Sequence, residues 1–163
     1  MKFLLTFLFF VVTNIFLSQT YKPNWILDDF NKAYNKALKE DKPLFIYFTS
    51  DGWGSEDLNR LIINTKQFKE WSDTNFVLLK LYYKNTKNEN PTEVDLENEK
   101  IRKDFANMGW PTYGFPSILL VEPMVCEELH VYLEHGLYTG LEKPENWIKD
   151  FMETFNRRKK LVE

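Results

Sequence analysis

The chain has 163 residues, of which 44% are hydrophobic, and it carries 14 Phe, 8 Tyr and 5 Trp. That composition fills a single globular core and excludes an intrinsically disordered chain. A formal net charge of −3, with one dense basic run at residues 157–160 that is typical of a solvated helix end, argues against nucleic-acid binding.

The N-terminus predicts export. Lys2 precedes an apolar stretch of about ten residues, shorter than the roughly 20 that a membrane-spanning helix needs. Ser18 and Gln19 lie near the expected cleavage point. We therefore predict a signal peptide over residues 1–19 and one domain over 20–163, located in the periplasm or outside the cell. The alternative is a membrane anchor formed by an uncleaved N-terminal segment.

The first half of the domain predicts alternating helices and strands. Apolar residues at helical spacing indicate a helix over 25–40. Residues 44–49 are continuously apolar or β-prone, as in a strand covered on both faces. A helix that begins near Gly54 and extends past Trp71 comes next, and residues 76–83 form the second buried strand.

The second half completes the sheet. Residues 84–94 are polar and predict a surface loop. A helix over 95–108 ends at Gly109, and a third strand follows at 117–121, with an antiparallel partner over 127–133. The last helix begins at Pro144, a favourable first helical position. The order predicts an α/β domain with a four-stranded mixed sheet and helices on both faces.

The turn after the first buried strand carries a family resemblance. Residues 44–58 lead an apolar strand through a tight turn into a helix, where thioredoxin-like proteins carry their redox C-x-x-C. The former redox turn is Gly52-Trp53-Gly54-Ser55, with Gly52 and Ser55 at the two cysteine positions. A second register puts Gly54 and Asp57 there instead. The chain thus resembles an exported, single-domain member of the thioredoxin-like family that lacks the C-x-x-C.

A second segment strengthens the resemblance. Gly114-Phe115-Pro116-Ser117 resembles the family's G-x-P-T segment, whose cis-proline faces the redox turn. Gly109-Trp110-Pro111-Thr112 is a competing match, and we prefer Pro116 because an apolar strand follows it immediately. Residues 136–140 resemble the glycine-containing region before the family's last helix. The resemblance implies a thioredoxin-like fold over roughly residues 25–155.

The substitutions in the turn remove the dithiol chemistry. Gly52 offers no nucleophile, and the hydroxyl of Ser55 is unreactive at neutral pH without a contacting base. Cys126 is the only cysteine, so it forms no intramolecular disulfide, and we interpret it as a small, partly buried apolar residue. Ser50, Asp51 or Ser55 is expected to cap the following helix. We predict no catalytic residue.

Two further groups of polar residues are weaker candidates for chemistry. Asp51, Glu56 and Asp57 crowd a helix start, where carboxylates are ordinary partners of the helix dipole. Cys126, His130 and His135 invite a metal. However, His135 falls beyond the predicted strand and the set lacks a further zinc ligand. We predict no metal site and no cofactor.

The aromatic residues around the turn point to binding. In the thioredoxin-like fold, Trp53, Tyr113, Phe115 and Pro116 gather beside the former redox turn, where they offer a surface to an extended peptide. We therefore expect a protein- or peptide-binding, chaperone-like module whose partner is a protein or peptide client. The alternatives are an enzyme of the cell envelope related to thiol-disulfide oxidoreductases, or a structural subunit of an envelope complex.

Overall fold

The computed structural model describes residues 21–84, 90–109, 114–122 and 130–132, and the separate positions 146, 150, 153 and 157. Over these ranges the elements alternate as predicted. In chain order they are β1 (Trp25–Leu27), α1 (Phe30–Glu40), β2 (Leu44–Ser50), α2 (Trp53–Leu58), a π-helical turn (Asn59–Ile63), α3 (Lys66–Asn75), β3 (Val77–Tyr83), α4 (Glu93–Asn107), β4 (Ser117–Glu122) and β5 (His130–Tyr132). No helix in the described part of the chain is long and apolar enough to cross a membrane.

The described strands form one mixed sheet in the order β1-β3-β2-β4-β5. Strand β2 lies in the middle, parallel to β3 and antiparallel to β4, and β5 continues the antiparallel half. This is the predicted mixed sheet. Of the predicted hairpin partner over 127–133, residues 130–132 are described, and they form β5. The sheet has a further parallel strand, β1, at the edge of β3.

The first helix begins later than the sequence predicts. Residues 25–27 pair with β3, so the prediction of a helix from residue 25 is wrong for its first residues. Asp28 then adopts a positive φ of 51°, and the side chain of Asp29 caps α1 by accepting a hydrogen bond from Lys32 N at 2.9 Å. The spacing of Ile26 and Phe30 fits a helix. However, residues 25–27, which precede the Asp29 cap, pair with the edge of β3 instead.

Two apolar layers cover the sheet. On one face, side chains of α2, the π-helical turn and α3 pack against alternate residues of the strands, including Phe45, Tyr47 and Ile118. On the other face, α1 and α4 pack against the intervening residues, including Ile46, Phe48 and Leu119. The predicted helices on both faces are confirmed, because the central strands alternate between two buried surfaces.

The helix between the two central strands is interrupted. One continuous helix was predicted to extend past Trp71, but Thr65 caps a separate helix α3 by accepting a hydrogen bond from Phe68 N at 3.2 Å. Threonine favours a cap over a helix interior, because its hydroxyl bonds to free backbone N–H groups. The break leaves α2 as a short helix whose first residues form the turn after β2.

Caps also fix the ends of α4. Thr92 and Asp95 form a reciprocal capping box, which pairs two backbone N–H groups that would otherwise lack partners. The helix is followed by Gly109, which has a φ of +88°, as the predicted stop requires.

The C-terminal region is described at four positions. Residues 146, 150, 153 and 157 are helical and exposed, and their spacing places them on one helical face. The predicted buried side of this last helix lies outside the described residues. The same is true of the predicted signal peptide over 1–19.

Candidate functional site

The turn between β2 and α2 depends on glycine at its central position. Gly52 is the residue before α2, with φ 156° and ψ 152°, a conformation that residues with a side chain rarely adopt. Its carbonyl accepts the first helical hydrogen bond from Glu56 N at 3.0 Å. No side chain caps this helix, so the predicted cap by Ser50, Asp51 or Ser55 is wrong. The capping position is held by a residue without a side chain.

Ser55 has a different role beneath the turn. Its side chain is 4% exposed, and its Oγ accepts a hydrogen bond from Ser50 N at 3.4 Å. Its hydroxyl also bonds to the Tyr47 hydroxyl, which accepts a second bond from Thr49 Oγ1 at 3.3 Å. Burial raises the pKa of Tyr47 in spite of these bonds. The three hydroxyls therefore stay neutral and tie the turn to the sheet, and none of them supplies a nucleophile.

The proline segment contacts the turn directly. The peptide bond between Phe115 and Pro116 is cis. A Cβ placed on Gly54 would lie 3.3 Å from Pro116 Cδ and 3.7 Å from the carbonyl oxygen of Phe115. The absence of a side chain at Gly54 therefore allows this close approach of two segments that are distant in sequence.

Trp53 lies on the open side of this contact. It is the first residue of α2 and is 67% exposed, whereas most other aromatic side chains in the described residues pack in the two cores. An indole left in water at a turn contributes little to folding. Its exposed surface remains available for a partner.

The ring of Phe115 packs away from the turn. It stacks on Tyr83 with the ring centroids 4.7 Å apart and the planes 17° from parallel. The guanidinium of Arg102 lies 5.4 Å from the centroid of the same Tyr83 ring. Phe115 therefore brings its backbone close to Gly54, while its side chain is held on the α4 side. Tyr113, the fourth predicted binding residue, lies outside the described residues.

The carboxylates near the turn make separate local contacts. Asp51 accepts a hydrogen bond from the hydroxyl of Tyr82, which raises the pKa of Tyr82 to about 12. Asp57 pairs with Arg60 at 2.8 Å, and Glu56 is exposed in the first turn of α2. Asp51 and Asp57 are thus engaged by different partners, as in ordinary local contacts of a helix start.

The two registers for the lost cysteines differ in their geometry. In the first, Gly52 lies at the helix start and Ser55 is buried below it. In the second, Gly54 faces the proline segment, and Asp57 lies on the next turn, paired with Arg60. The contact with Pro116 favours Gly54 as the position that faces the cis-proline.

A part-buried group of hydrogen-bonded residues near the site, Asp28, Tyr82 and Asn98, was not identified from the sequence; we call it the polar bracket. Asp28 Oδ1 accepts hydrogen bonds from Tyr82 N at 2.8 Å and from Asn98 Nδ2 at 2.7 Å. Asn98 Nδ2 also donates to the carbonyl of Tyr82 at 3.0 Å. The polar bracket joins the end of β1 to β3 and α4 beside Tyr82, which bonds to Asp51. A signal existed, because Asn98 is a polar residue three and seven positions before Ile101 and Phe105 on the apolar face of α4.

The candidate metal ligands from the sequence lie largely outside the described residues. Within the described ranges, no three His, Cys, Asp or Glu side chains are grouped as metal ligands would be. Among the three metal-ligand candidates from the sequence, Cys126 and His135 lie outside these ranges. Only the backbone of the third, His130, is described, in β5.

Comparison with known proteins agrees with the fold. A family model described as thioredoxin-like matches residues 25–123. One similar solved structure is titled DsbH oxidoreductase: it is 16% identical, with a TM-score of 0.52 over 80% of this chain and 88% of that chain. Another is a thioredoxin from Thermus thermophilus, 13% identical, with a TM-score of 0.56 over 82% of this chain and 87% of that chain. A sequence search of curated proteins gave no match.

Proposed function

The chain belongs to the thioredoxin-like family, and on that premise we propose that it is a redox-inactive module that binds an extended peptide of a client protein. The binding site consists of Trp53, Gly54 and the Phe115–Pro116 segment. The function is that of a peptide-binding or chaperone-like protein rather than of an enzyme.

The first support is the loss of sulfur from the turn. Disulfide exchange needs a thiolate that attacks and a second thiol that resolves the mixed disulfide. The sequence contains one cysteine, Cys126, and both registers of the turn lack sulfur. Gly52, Ser55, Gly54 and Asp57 supply neither step of the exchange.

The observation that carries the proposal is the exposed Trp53 next to Gly54, which the Phe115–Pro116 segment approaches closely. The described ladder between β2 and β4 ends at the pair Phe48 and Ser117, and Phe115 lies two residues before Ser117. Its carbonyl lies beside Gly54. An extended peptide that pairs with the backbone of Phe115 would pass over Gly54 and place a side chain against the indole of Trp53. This is strand addition, which needs no sulfur.

An enzyme of thiol-disulfide exchange is the second candidate. One similar structure is titled an oxidoreductase, although at 16% identity the likeness carries the fold alone. Such activity would depend on Cys126. A disulfide-reduction assay on the wild-type protein and on Cys126→Ser separates the candidates, because we expect both proteins to match the rate without enzyme. Wild-type turnover that disappears in Cys126→Ser would favour the enzyme.

Binding is tested by crosslinking in the native host. We expect the wild-type protein to capture a client and Trp53→Ala to lose most of that capture. The matched control is Leu27→Ala, which removes another exposed apolar side chain from strand β1, outside the site. Unchanged capture by a folded Trp53→Ala protein would contradict the proposal. Capture of a stoichiometric complex that survives purification would instead favour the structural subunit.

Export is part of the same proposal. The support is the charged and apolar pattern of residues 1–19, which is typical of a signal peptide. N-terminal sequencing of native protein is expected to start near residue 19 or 20 in a periplasmic or extracellular fraction. An intact Met1 in a soluble cytoplasmic fraction would contradict export and leave the binding proposal standing.

A further inference from the structure

The ring of Phe115 joins two strands that are not neighbours in the sheet. Phe115 lies two residues before β4, and its ring stacks on Tyr83, the last residue of β3, with the centroids 4.7 Å apart. Strand β2 lies between β3 and β4, and its last residue, Ser50, pairs with Tyr83. The stack therefore spans the end of β2, where the chain enters the turn that carries Trp53 and Gly54.

Helix α4 holds the ring of Tyr83 in turn. The guanidinium of Arg102 lies 5.4 Å from the centroid of the Tyr83 ring. The Arg102 side chain is 16% exposed, and it pairs at 3.3 Å with Glu99, which lies one turn earlier on the same helix. A guanidinium shielded from water is attracted to an aromatic face more strongly than an exposed one, and its ion pair fixes its orientation. Arg102 therefore supports the ring on which Phe115 stacks.

The segment of Phe115 and Pro116 is thus held from two sides. The ring of Phe115 packs on the α4 side, against the apolar layer beneath α1 and α4. Its carbonyl and the ring of Pro116 lie against Gly54 on the turn. Gly54 has no side chain and offers few atoms for dispersion, so the aromatic stack supplies much of the contact that orders Phe115.

This arrangement connects α4 to the candidate site. We propose that Tyr83 and Arg102 are positioning residues of the peptide site, which hold the ring of Phe115 so that its backbone stays in place beside Gly54. The inference rests on the proposed function, because it assigns residues that act on the same site through Phe115. A segment that is ordered before the peptide arrives loses less conformational entropy on binding, and the peptide therefore binds more tightly.

The first measurement uses the protein without a ligand. Amide relaxation in NMR gives the backbone order parameter of Phe115, which is about 0.85 for a rigid backbone and below about 0.6 for a flexible one. We expect the rigid value in the wild-type protein and a fall toward the flexible value in Tyr83→Leu, which removes the stacked ring. Tyr83→Phe keeps the ring and should restore the wild-type value.

The second measurement is the affinity for a peptide probe. The probe is a capped peptide of alternating threonine and valine, whose β-branched side chains favour an extended backbone. Its titration is followed by NMR at the indole N–H of Trp53 and the amide of Gly54. We expect Tyr83→Leu to bind the probe about fivefold more weakly than the wild-type protein, and Tyr83→Phe to bind within about twofold of it.

Arg102→Gln is a second, milder variant that keeps the inference testable if Tyr83→Leu does not fold. Glu99 also pairs with Lys103 at 3.1 Å, so the substitution leaves this carboxylate with a cation. The Tyr83 ring loses the guanidinium but stays in the protein. We therefore expect a smaller fall in the order parameter of Phe115 and about twofold weaker binding of the probe.

The matched control removes a ring from another stack in the same apolar layer. Tyr34 stacks on Phe30 in α1, with the planes 19° from parallel, and both pack against the layer that Phe115 contacts. Tyr34→Leu should therefore leave both the order parameter of Phe115 and the affinity for the probe unchanged.

The outcomes separate this inference from the function on which it rests. An unchanged order parameter of Phe115 in Tyr83→Leu and Arg102→Gln would overturn the inference, and so would an equal loss in Tyr34→Leu. A lower order parameter with unchanged affinity would also overturn it, while binding of the probe at Trp53 would still support the proposed function. Absence of any probe-induced shift at Trp53 and Gly54 in the wild-type protein would overturn both.

Discussion

Aromatic side chains occupy two contrasting regions of this protein. In the aromatic cluster, formed by Trp25, Phe45, Tyr47, Phe68 and Phe76, neighbouring rings lie with centroids about 6 Å apart on one face of the sheet. Phe45 at its centre is fully buried, whereas Trp53 at the turn is 67% exposed. The cluster stabilises the fold through burial and dispersion. Trp53 contributes little of this kind, since two thirds of its surface is exposed, and the proposed function gives that exposed surface a role.

The comparison extends to the polar groups of the two regions. Tyr47 belongs to the aromatic cluster, but its hydroxyl bonds to Thr49 and Ser55 at the base of the turn. The turn therefore has a hydrogen-bonded base and an exposed outer surface. In the proposed peptide site, such a base would hold Trp53 and Gly54 in place before a partner arrives, which would reduce the entropic cost of association.

The largest expected difference is in the free energy of unfolding, between a variant that truncates a core ring and one that truncates the exposed ring. Phe45→Ala removes a ring from a packed layer and is expected to lower the free energy of unfolding by about 3–5 kcal/mol. Trp53→Ala is expected to change it by about 0.5 kcal/mol or less, as for an ordinary surface substitution. Denaturant unfolding of both variants measures the difference. A loss of more than about 2 kcal/mol in Trp53→Ala would show that its ring supports the fold.

Cysteine pairs test which positions of the turn tolerate a side chain. Gly52→Cys forces a side chain onto a residue with φ 156°, at a cost of about 1–3 kcal/mol. Gly54 lies within the helix, and its new Cβ would need Pro116 to move only slightly from 3.3 Å. With Cys126→Ser as background, we expect Gly54→Cys/Asp57→Cys to oxidise to a disulfide more completely than Gly52→Cys/Ser55→Cys.

Thiol titration of both proteins in denaturant, after oxidation in air, measures the fraction of each pair that is bridged. The parent Cys126→Ser protein gives the background. Preferential bridging of Gly52→Cys/Ser55→Cys would contradict the expectation and assign the lost cysteines to the first register.

The hydroxyl of Ser55 tests the base of the turn. Ser55→Ala leaves Ser50 N without its acceptor and removes one of two partners from the buried Tyr47 hydroxyl. We expect a loss of about 1 kcal/mol in the free energy of unfolding. The comparison variant is Thr74→Ala, whose exposed hydroxyl bonds to the carbonyl of Glu70 at 2.9 Å, and which should lose less. Equal losses would mean that the bonds under the turn are no stronger than a surface bond.

Alkaline titration tests the link between the turn and β3. The hydrogen bond to Asp51 raises the pKa of Tyr82 to about 12 in the folded protein, from about 10 in an unfolded chain. The folded state therefore holds the proton more tightly. The stability contributed by this bond is present below about pH 10 and is lost as the pH rises toward 12.

Ultraviolet absorbance of tyrosinate follows this ionisation. Asp51→Asn is expected to return the titration of Tyr82 toward about pH 10. Tyr82→Phe should remove one of the tyrosines that titrate late; Tyr47, whose pKa is also raised, should still titrate late. An unchanged absorbance profile in Asp51→Asn would contradict the hydrogen bond. The effect on stability is expected to be the smallest of the series, since the bond ends at the exposed carboxylate of Asp51.

The fold class and most helices and strands could be predicted from the amino-acid sequence. The apolar runs of β2 and β3 and the helical spacing of α4 needed no tertiary information, because a strand covered on both faces and an amphipathic helix have different periodicities. The absence of paired cysteines also excluded dithiol exchange. These conclusions depend only on the types of residue present and on their spacing along the chain, so they need no knowledge of distant contacts.

Contacts between distant segments could not be predicted from local sequence patterns. Residues 25–27 join the sheet because the edge of β3 is open to them, a contact made across more than 50 residues. The ring of Phe115 stacks on Tyr83 rather than lying beside Trp53. Tyr83 belongs to β3, which is distant from Phe115 in sequence, so local sequence patterns do not predict this contact. The contact of Gly54 with Pro116 and the bond of Tyr82 to Asp51 likewise join distant segments. Local preferences define helices and strands, whereas the exposure and partners of a site residue depend on which distant segments the fold brings against it.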